Sequence, residues 1–448
     1  MCETTKPGFH YRFLIAICVA ALSLTIPSKS VSAQDRWDRT ATSGRVFLGQ
    51  PTTVTWGFVE DGTPISPSIA NETDDPSSII SLLDSSIGAG PGGADLSQRP
   101  WFDSFESVTQ RWETISGLEF VYEPNNNTVD VGFFTRGSLN FVPDIRIGGH
   151  SLNGGSTLAY NFFPDHGNMV VNTDQVNFLA NGGGNFLRLR NTMAHEIGHG
   201  LGLPHVGNNN QLMRPSISLA FDGPQIDDIY QIQRRYGDSF EKSGGNDSFN
   251  VATPLFVEDG SDFSFEIGSD ANHGANLQEV DPDETNFYSI DDNGDVDVYQ
   301  FTIDATTGIN ISLEMVGSTY NIDSSPFNMS QQSDLDLQLF GNSGQNLIGT
   351  SSSTGLGVTE NIAETLDAGT YFIEITGRNN AAQFYQLSLT GTTVVLLGDV
   401  NRDGVVNFLD LSPFITLLST GTFQAEADMN EDGVVNFFDI AFFITKLS

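Results

Sequence analysis

The sequence His195-Glu196-Ile197-Gly198-His199-Gly200-Leu201-Gly202-Leu203-Pro204-His205 places three histidines and one glutamate close together. On an α-helix, residues four apart lie on one face, so His195 and His199 can direct two imidazoles at one ion. Gly202 can adopt the positive φ that turns the chain back and returns His205 to the same ion. Three neutral imidazoles leave a coordination position for water, and a carboxylate at Glu196 can take its proton. The pattern therefore predicts a metal-dependent hydrolytic site.

These residues resemble the metzincin signature H-E-x-x-H-x-x-G-x-x-H, and every fixed position is matched. Met213, eight residues after the third histidine, is similar in spacing to the Met-turn of the matrixin branch. The resemblance implies one catalytic zinc held by His195, His199 and His205, with Glu196 as general base. The zinc would polarise the scissile carbonyl, and Glu196 would pass a proton from water to the leaving amine.

Residues 34–240 are predicted to form one α+β domain around this site. Strands are predicted at residues 53–59, 120–122, 129–134 and 145–147, and helices at 101–115, 185–200 (N-capped by Asn185) and 226–236. This order resembles a matrixin catalytic domain. The resemblance implies that Leu158, Ala159 and Tyr160 belong to an edge strand that pairs with an extended substrate.

Asp227 and Asp228 begin the last predicted helix of this domain. In matrixins such a pair anchors the Met-turn and the mature N terminus, and the resemblance implies the same role here. The alternative is a solvated first turn, where acidic side chains suit the helix dipole.

A second, structural zinc is not predicted. Tyr160 and Val171 stand where matrixins carry two of the histidines that bind it. His150 and His166 lie nearby, but four good ligands are not visible, so both histidines are assigned to surface or turn positions.

Residues 1–33 are predicted to be an export signal. Basic residues precede the apolar run at residues 13–26, and small residues up to Ala33 suit cleavage before Gln34. An uncleaved anchor is the alternative, although the run is short for a membrane span. The mature chain is therefore expected to be extracellular or bound to the cell surface, with no membrane span. Cys2 and Cys18 both lie in this segment, so neither a disulfide nor a cysteine switch is expected afterwards.

The chain is strongly acidic, with 56 acidic and 19 basic residues and a formal net charge of −37. Such a field repels phosphate backbones, so no nucleic acid partner is predicted. Two interpretations of the charge stay open: attraction of divalent cations and cationic substrates, or simple solvation of an exported surface.

Residues 247–392, after a polar linker, are predicted to form a β-sandwich. Alternating apolar segments recur at residues 295–301, 335–340, 369–375 and 385–389. They resemble the bacterial pre-peptidase C-terminal domain, an accessory module of secreted proteases. Asp295, Asp297, Asp334 and Asp336 are either further calcium ligands or, in the preferred interpretation, ordinary outward-facing strand residues.

Residues 398–448 contain a repeat with a period of 29. Each copy has oxygen ligands at loop positions 1, 3, 5 and 12, a glycine at 6 and a backbone carbonyl at 7, as in an EF-hand-like calcium loop. The predicted ligands are Asp399, Asn401, Asp403, Val405 and Asp410 in the first loop, and Asp428, Asn430, Asp432, Val434 and Asp439 in the second.

The repeat resembles a type I dockerin, with apolar helices predicted at residues 411–418 and 440–447. The resemblance implies two bound calcium ions and a cohesin-like partner. Phe408, Leu409, Phe437 and Phe438 occupy positions that would contact the cohesin; their apolar character would equally suit the core of the module.

Together these features predict a multidomain chain: an α+β metzincin catalytic domain, a β-sandwich accessory domain and a small all-α calcium-binding dockerin-like module. The predicted function is that of a secreted zinc endopeptidase acting on extracellular proteins or peptides. The alternative is an inert adhesion or scaffold-attached protein, because Val206 and Arg214 stand where matrixins commonly carry serine and tyrosine. Retention of the three ligands and of Glu196 argues against that alternative.

Overall fold

The computed structural model describes residues 15–19, 36–70, 72–126, 129–133, 135–181, 185–207, 210–257, 262–272, 279–322, 325–341 and 344–447. The chain forms two compact units. The first comprises Met1–Lys242, His273–Phe287 and Ser318–Asn328, and the second comprises Ser243–Asn272, Tyr288–Gly317 and Met329–Ser448. Of the predicted export signal, all but residues 15–19 lies outside the described residues. Among the described residues, no helix is both long and apolar enough to cross a membrane.

A twisted mixed sheet forms the centre of the first unit. Its strands are β1 (Ile15–Val19), β2 (Thr52–Phe58), β3 (Leu118–Tyr122), β4 (Ile145–His150), β5 (Thr157–Phe162) and β6 (Met169–Asn172). Their order is β1-β5-β6-β4-β2-β3. The pairings β2–β3, β2–β4 and β4–β6 are parallel, whereas β5 runs antiparallel to both β6 and β1. The strands β2 and β4 to β6 are almost continuously buried, as parallel sheets covered by helices are.

Five helices of the first unit are described: α1 (Ile79–Ser86), α2 (Phe102–Thr114), α3 (Val176–Ala180), α4 (Leu187–Gly200) and α5 (Ile226–Tyr236). The apolar face predicted for α2 is buried and packs on α4. Trp112 of α2 donates its indole N–H to the Ala194 carbonyl oxygen at 3.3 Å. Helix α4 also packs on β5, so the helix with the histidine motif lies between α2 and the predicted substrate strand.

Two predicted local features are wrong. Helix α4 begins at Leu187, because Asn185 and Phe186 have left-handed φ values of 55° and 59°, and no side chain caps the helix. Residues 129–133 form a turn instead of the predicted strand. The carbonyl oxygens of Val129 and Asp130 accept hydrogen bonds from Arg146 at 2.6 and 3.4 Å, so these backbone groups are not available to a sheet.

The first unit also includes two segments that lie, along the chain, between strands of the second unit. One is described at residues 279–287, and the other forms the hairpin β12 (Thr319–Ile322) and β13 (Ser325–Asn328). Val280, Phe287 and Tyr320 are buried within the unit. The first unit therefore contains more of the chain than the contiguous stretch 34–240.

In the described part of the second unit, two β-sheets are followed by two α-helices. The strands are β7 (Thr253–Pro254), β8 (Phe263–Ile267), β9 (Ser289–Ile290), β10 (Val296–Ile303), β11 (Thr307–Met315), β14 (Leu335–Gly341), β15 (Asn346–Ser351), β16 (Glu360–Leu366), β17 (Gly369–Gly377) and β18 (Gln383–Thr393). The sheet orders are β15-β14-β17-β10-β7 and β16-β11-β18-β8. Buried and less buried residues alternate strictly along β11 and β14, as expected of sandwich strands. Helices α6 (Leu411–Thr420) and α7 (Ile440–Lys446) follow.

The preferred interpretation of the sandwich aspartates is wrong for Asp297. Its side chain is fully buried and accepts a hydrogen bond from the Tyr385 hydroxyl at 2.6 Å. Burial raises the pKa of Asp297 to about 7. Asp336, in contrast, is partly exposed and forms an ion pair with Arg378 at 2.8 Å, as an outward-facing strand residue can.

Candidate metal centre and calcium-binding repeat

The structure brings the three motif histidines together. Helix α4 carries His195 and His199, and it ends where Gly202 adopts a φ of 100° and Leu203 N–H closes on the Gly198 carbonyl at 2.8 Å. This turn returns His205, whose Nε2 lies 3.2 Å from Nε2 of His195. Ligand nitrogens of the three histidines all lie within 4.8 Å of one another. The geometry is that of one three-nitrogen site.

Backbone carbonyls orient two of these rings. His195 Nδ1 donates to the Leu212 carbonyl oxygen at 2.7 Å, and His199 Nδ1 donates to the Leu203 carbonyl oxygen at 2.7 Å. Because a carbonyl oxygen can only accept, each Nδ1 carries the proton and each Nε2 presents a lone pair. Such second contacts fix the ring orientation and tautomer of metal-binding histidines.

Burial keeps the three imidazoles neutral. It lowers the pKa of His195 to about 3 and that of His205 to about 4, and it holds the pKa of His199 well below its ordinary value. The neighbouring histidines lower the pKa values of His195 and His199 further. Neutral nitrogen donors are the form that binds a metal ion.

Glu196 is buried beside these rings, and burial raises its pKa well above the ordinary value. Within the described part of the chain, neither of its carboxylate oxygens has a hydrogen-bond partner, and neither has Nε2 of His199. Buried polar atoms without partners are rare and call for an ion or a water. A divalent cation with a water therefore fits the donor atoms present here.

The loop with Leu212 and Met213 lies directly against the histidine helix. A side chain at Gly198 would place its Cβ 2.5 Å from Sδ of Met213. Asp228 holds the loop from the other side, since its carboxylate accepts hydrogen bonds from the amides of Leu212 at 2.7 Å and Met213 at 3.1 Å. Asp228 is fully buried, so the solvated-turn alternative for this residue is wrong.

The predicted edge strand lies next to the histidine site. Leu158, Ala159 and Tyr160 belong to β5 and are buried. A Cβ at Gly200 of α4 would lie 2.7 Å from Nδ2 of Asn161 on β5, so helix and strand are in close contact. Strand β1 pairs antiparallel along the outer edge of β5, with Ile17 opposite Tyr160 and Cys18 opposite Ala159.

The surface or turn assignment of His150 and His166 is wrong as to exposure, because both side chains are buried. His150 lies at the end of β4, where Nε2 contacts Glu72 at 2.7 Å and Nδ1 contacts the Asp75 carbonyl at 2.8 Å. The Tyr160 hydroxyl donates to the same Glu72 carboxylate at 2.6 Å. His166 stacks on Phe162 at 3.9 Å. No pattern in the sequence indicates that Glu72 pairs with a histidine 78 residues away.

The two loops of the C-terminal repeat have the same backbone network. Asp399 accepts hydrogen bonds from the amides of residues 403 and 404, and Asp428 accepts them from residues 432 and 433, at 2.7–3.1 Å. Asp410 and Asp439 accept from the amides of residues 401 and 430. The two loops therefore share one pattern of hydrogen bonds between acidic side chains and backbone amides. Burial, together with the charges of Asp410 and Asp403, raises the pKa of Asp399.

A stacked aromatic pair joins the two copies of the repeat. Phe414 and Phe443, one repeat period apart, are buried and stack at 4.1 Å with an interplanar angle of 11°. The residues predicted either to contact a cohesin or to fill the core are exposed, with accessible fractions of 65–74%; they are Phe408, Leu409, Phe437 and Phe438. The core of the repeat is therefore formed by other residues.

Comparisons with known proteins agree with these observations. The family model for matrixin matches residues 92–237, that for the bacterial pre-peptidase C-terminal domain matches residues 295–377, and that for the dockerin type I domain matches residues 397–448.

Two curated relatives match part of this chain. The hatching enzyme of Paracentrotus lividus is 30% identical over 146 residues, which cover 32% of this chain and 24% of the relative. Metalloendoproteinase 2-MMP of Arabidopsis thaliana is 29% identical over 160 residues, which cover 33% of this chain and 38% of the relative. The chain thus spans less than half the length of either relative.

A solved pre-peptidase C-terminal domain of collagenase from Bacillus anthracis is 15% identical, with a TM-score of 0.19, and the match covers 31% of this chain and 93% of that one. Matrixin implies a catalytic zinc, and dockerin implies calcium binding. The three family matches confirm the resemblances predicted from the sequence: the chain combines a matrixin domain, a bacterial pre-peptidase C-terminal domain and a type I dockerin domain.

Proposed function

We propose that this chain is an exported zinc endopeptidase in which His195, His199 and His205 hold one zinc ion and Glu196 is the general base. The observation that carries the proposal is the convergence of three neutral histidine nitrogens beside a buried glutamate without a partner. The matrixin match over residues 92–237 supports the same activity.

A zinc ion bound there supplies a Lewis acid that polarises the scissile carbonyl and acidifies a water. The Leu212 and Leu203 carbonyls hold the imidazoles of His195 and His199 in the orientation that exposes Nε2. Glu196 accepts the proton of the attacking water and returns it to the leaving amine. Burial raises the pKa of Glu196 above that of an ordinary carboxylate, which makes it a stronger proton acceptor.

We infer that the substrate binds as an extended strand along Leu158, Ala159 and Tyr160 of β5. The pairing of β1 supports the inference, because β1 occupies the outer side of β5 as an antiparallel strand. Removal of residues 1–33 by a signal peptidase would remove β1 and free the edge. Backbone pairing would fix the direction of the substrate, and the close packing of β5 on α4 supports a scissile bond near Glu196.

The activity is tested with Glu196→Ala. Loss of a general base removes about 10²–10⁴-fold of rate, so the variant should cleave casein at least a hundredfold more slowly while its zinc content is unchanged. Glu119→Ala is the matched control, because Glu119 is exposed on β3 and binds Thr53. Equal casein cleavage by Glu196→Ala and the parent would refute the assignment. A parent that binds zinc yet cleaves no protein would instead support the inert, scaffold-attached alternative.

We further propose that residues 398–448 bind two calcium ions and attach the chain to a cohesin-like partner. The two loops have matching hydrogen-bond networks around their acidic side chains, which supports two equivalent sites. Four exposed apolar side chains are available to a partner; they are Phe408, Leu409, Phe437 and Phe438. Asp432→Ala removes one carboxylate from the second loop.

Calorimetric titration of the full chain should therefore give two calcium ions for the parent and one for Asp432→Ala, because each loop needs its own set of oxygens. Glu314→Ala, at an exposed position of β11 outside the predicted calcium ligands, is the control. An unchanged stoichiometry in Asp432→Ala would contradict the assignment of the second loop.

A further inference from the structure

The two buried aspartates at the start of α5 have different partners. Asp228 holds the amides of Leu212 and Met213. The carboxylate of Asp227 accepts a hydrogen bond from the Tyr320 hydroxyl and one from Gln231 at 3.5 Å. The position that the matrixin resemblance assigns to the mature N terminus is therefore occupied by a phenol from the β12–β13 hairpin.

The N-terminal part of the described chain lies at the other end of α5. Arg36 donates to the Arg235 carbonyl oxygen at 2.7 Å, and the amide of Trp37 donates to the Tyr236 hydroxyl at 3.1 Å. These contacts are at the last turn of the helix, whereas Asp227 is in its first turn. The expectation that the aspartate pair anchors the N terminus is thus not met by Asp227, and Tyr320 provides an alternative partner.

The Tyr320 hydroxyl compensates a costly burial. Asp227 and Tyr320 are both buried. Burial raises the pKa of Asp227, while the hydrogen bonds from Tyr320 and Gln231 and the charge of Arg235 lower it. A buried carboxylate that loses such a donor must become protonated or move toward water. The first turn of α5 would move with it.

The hairpin holds this hydroxyl in place by aromatic packing. The Tyr320 ring contacts Phe327 at 5.4 Å, and Phe327 contacts Tyr230 of α5 at 5.6 Å. The segment 279–287 contacts the same end of the helix, because the Gln225 side chain accepts from the Val280 amide at 2.9 Å and donates to its carbonyl at 3.3 Å. We name these two segments, residues 279–287 and 318–328, the α5 clamp.

The first turn of α5 is connected to the histidine site by two consecutive hydrogen bonds through Leu212. Asp228 follows Asp227 in the chain and binds the Leu212 amide. The carbonyl of Leu212 accepts the Nδ1 hydrogen of His195. A shift of the helix start therefore changes the orientation of the His195 ring, and metal affinity depends on that orientation.

We propose that Tyr320, through its hydrogen bond to Asp227, is a positioning residue that sets His195 for metal binding and catalysis. The proposal rests on the proposed function for its reaction, but its effect on metal affinity can be measured separately. The α5 clamp lies between strands of the accessory domain in the sequence, and the proposal gives it a role in the peptidase site.

The test uses Tyr320→Phe in the full chain, which keeps the ring packing and removes the hydroxyl. Loss of a group that orients a metal ligand costs about 10–100-fold in affinity, and Tyr320, which acts through Asp227, Asp228 and Leu212, should lie at the low end. We expect the zinc dissociation constant, measured by chelator competition, to rise about tenfold, and kcat to fall with KM unchanged.

Asp227→Asn provides a second measurement that does not depend on the folding of Tyr320→Phe. In the parent it weakens a charge-assisted hydrogen bond, so zinc affinity should fall. In the Tyr320→Phe background it replaces a buried carboxylate that has lost its tyrosine donor, so zinc affinity should rise. A sign reversal of this kind is expected only if the two groups act on the metal site as a pair.

Tyr385→Phe is the matched control, because Tyr385 also donates to a buried aspartate, Asp297, in the second unit. It should lower thermal stability and leave the zinc dissociation constant and kcat unchanged. The proposal is overturned if Tyr320→Phe and Asp227→Asn both keep zinc affinity within twofold of the parent, whatever their melting temperatures. If the parent binds zinc but hydrolyses no peptide, the proposed function fails while the zinc measurements still decide the role of Tyr320.

Discussion

His150 is a buried residue whose environment makes its contribution to stability dependent on pH. Burial alone would lower the pKa of its imidazole, but the hydrogen bonds to Glu72 and to the Asp75 carbonyl outweigh burial and raise it above 6.5. Burial also acts to raise the pKa of Glu72, and the hydrogen bonds from His150, Tyr160 and two amides lower it below 4.5. The ion pair therefore stabilises the fold most between pH 4.5 and pH 6.5, the ordinary pKa values of the two groups.

Replacement of His150 by Gln should consequently cost more stability in mild acid than in mild base. A raised histidine pKa contributes stability that is present below 6.5 and is lost as pH rises through the folded value. The measurement is the melting temperature of the metal-free chain in the presence of a chelator. The difference in melting temperature between the parent and His150→Gln should be a few degrees larger at pH 6 than at pH 8, because about 1 kcal/mol shifts the melting temperature by roughly 2–4 °C.

His166→Gln is the opposite case and serves as the control. Burial lowers the pKa of His166 to about 4, so the stability of its neutral form is lost as pH falls from 6.5 towards that value. The cost of His166→Gln should shrink on acidification. If both variants showed the same pH dependence, the assigned ion pair between His150 and Glu72 would be wrong.

Side chains with a fixed spacing could be predicted at this scale, and their partners could not. The motif spacing is sufficient to identify His195, Glu196, His199 and His205 as one cluster. The groups that orient them are the Leu212 and Leu203 carbonyls, and a backbone carbonyl is present at every residue, so it has no sequence signature. Glu72 could not be predicted as the partner of His150, because the pairing depends on how a loop folds over β4.

At the scale of elements, the glycines of α4 define how closely the histidine helix is packed. Gly198 contacts Met213, and Gly200 contacts Asn161 of β5. Helix propensity alone disfavours glycine by about 1 kcal/mol relative to alanine. The glycines are therefore explained by close packing on the loop and on the strand.

Gly198→Ala tests this explanation, because the two effects have opposite signs. Helix propensity predicts a gain of about 1 kcal/mol, whereas overpacking a core costs about 1–3 kcal/mol. Met213 is buried, and its backbone is fixed by Asp228, so we expect overpacking to dominate and both melting temperature and zinc affinity to fall. Gly44→Ala, where a Cβ meets no atom within 4 Å, should change neither. A more stable Gly198→Ala would show that the loop yields to the added methyl group.

Helices and strands with a clear apolar period agree with their predictions, and irregular segments do not. The last helix of the domain spans Ile226–Tyr236, as its caps and charges predict. The stretch 129–133 has strand-like composition but forms a turn, because Arg146 binds its carbonyls. Local propensity cannot anticipate a distant guanidinium that takes the hydrogen bonds a strand needs.

At the scale of the whole molecule, the sequence predicts the order of the domains but not the α5 clamp. Residues 279–287 and 318–328 follow the polar linker, and composition alone assigns them to the sandwich. In the structure they belong to the first unit. Long connections between strands have no periodicity of their own, so only the folded chain reveals which core they join.

In a chain that ends at Lys242, the first unit should for this reason be less stable than in the full chain. It would lack Val280, Phe287 and Tyr320, which are buried in the first unit, and burial of each such side chain contributes about 1.5–3 kcal/mol. The combined loss is comparable to a large part of a typical stability of about 5–15 kcal/mol. All four tryptophans of the chain, Trp37, Trp56, Trp101 and Trp112, lie in the first unit, so their fluorescence reports its unfolding alone. We expect the fluorescence melting temperature to fall by about 10 °C or more.

A chain that ends at Leu397 is the matched control for this truncation. It lacks the C-terminal repeat but retains the whole α5 clamp, so its tryptophan fluorescence transition should coincide with that of the full chain. Two equal transitions for the chains ending at Lys242 and Leu397 would mean that the clamp adds nothing to the first unit. We expect a lowered melting temperature and weakened zinc binding for the Lys242 chain alone. In that chain the first turn of α5 has lost both Tyr320 and the Val280 backbone. Such a result would mean that the first unit depends on segments encoded between strands of the accessory domain.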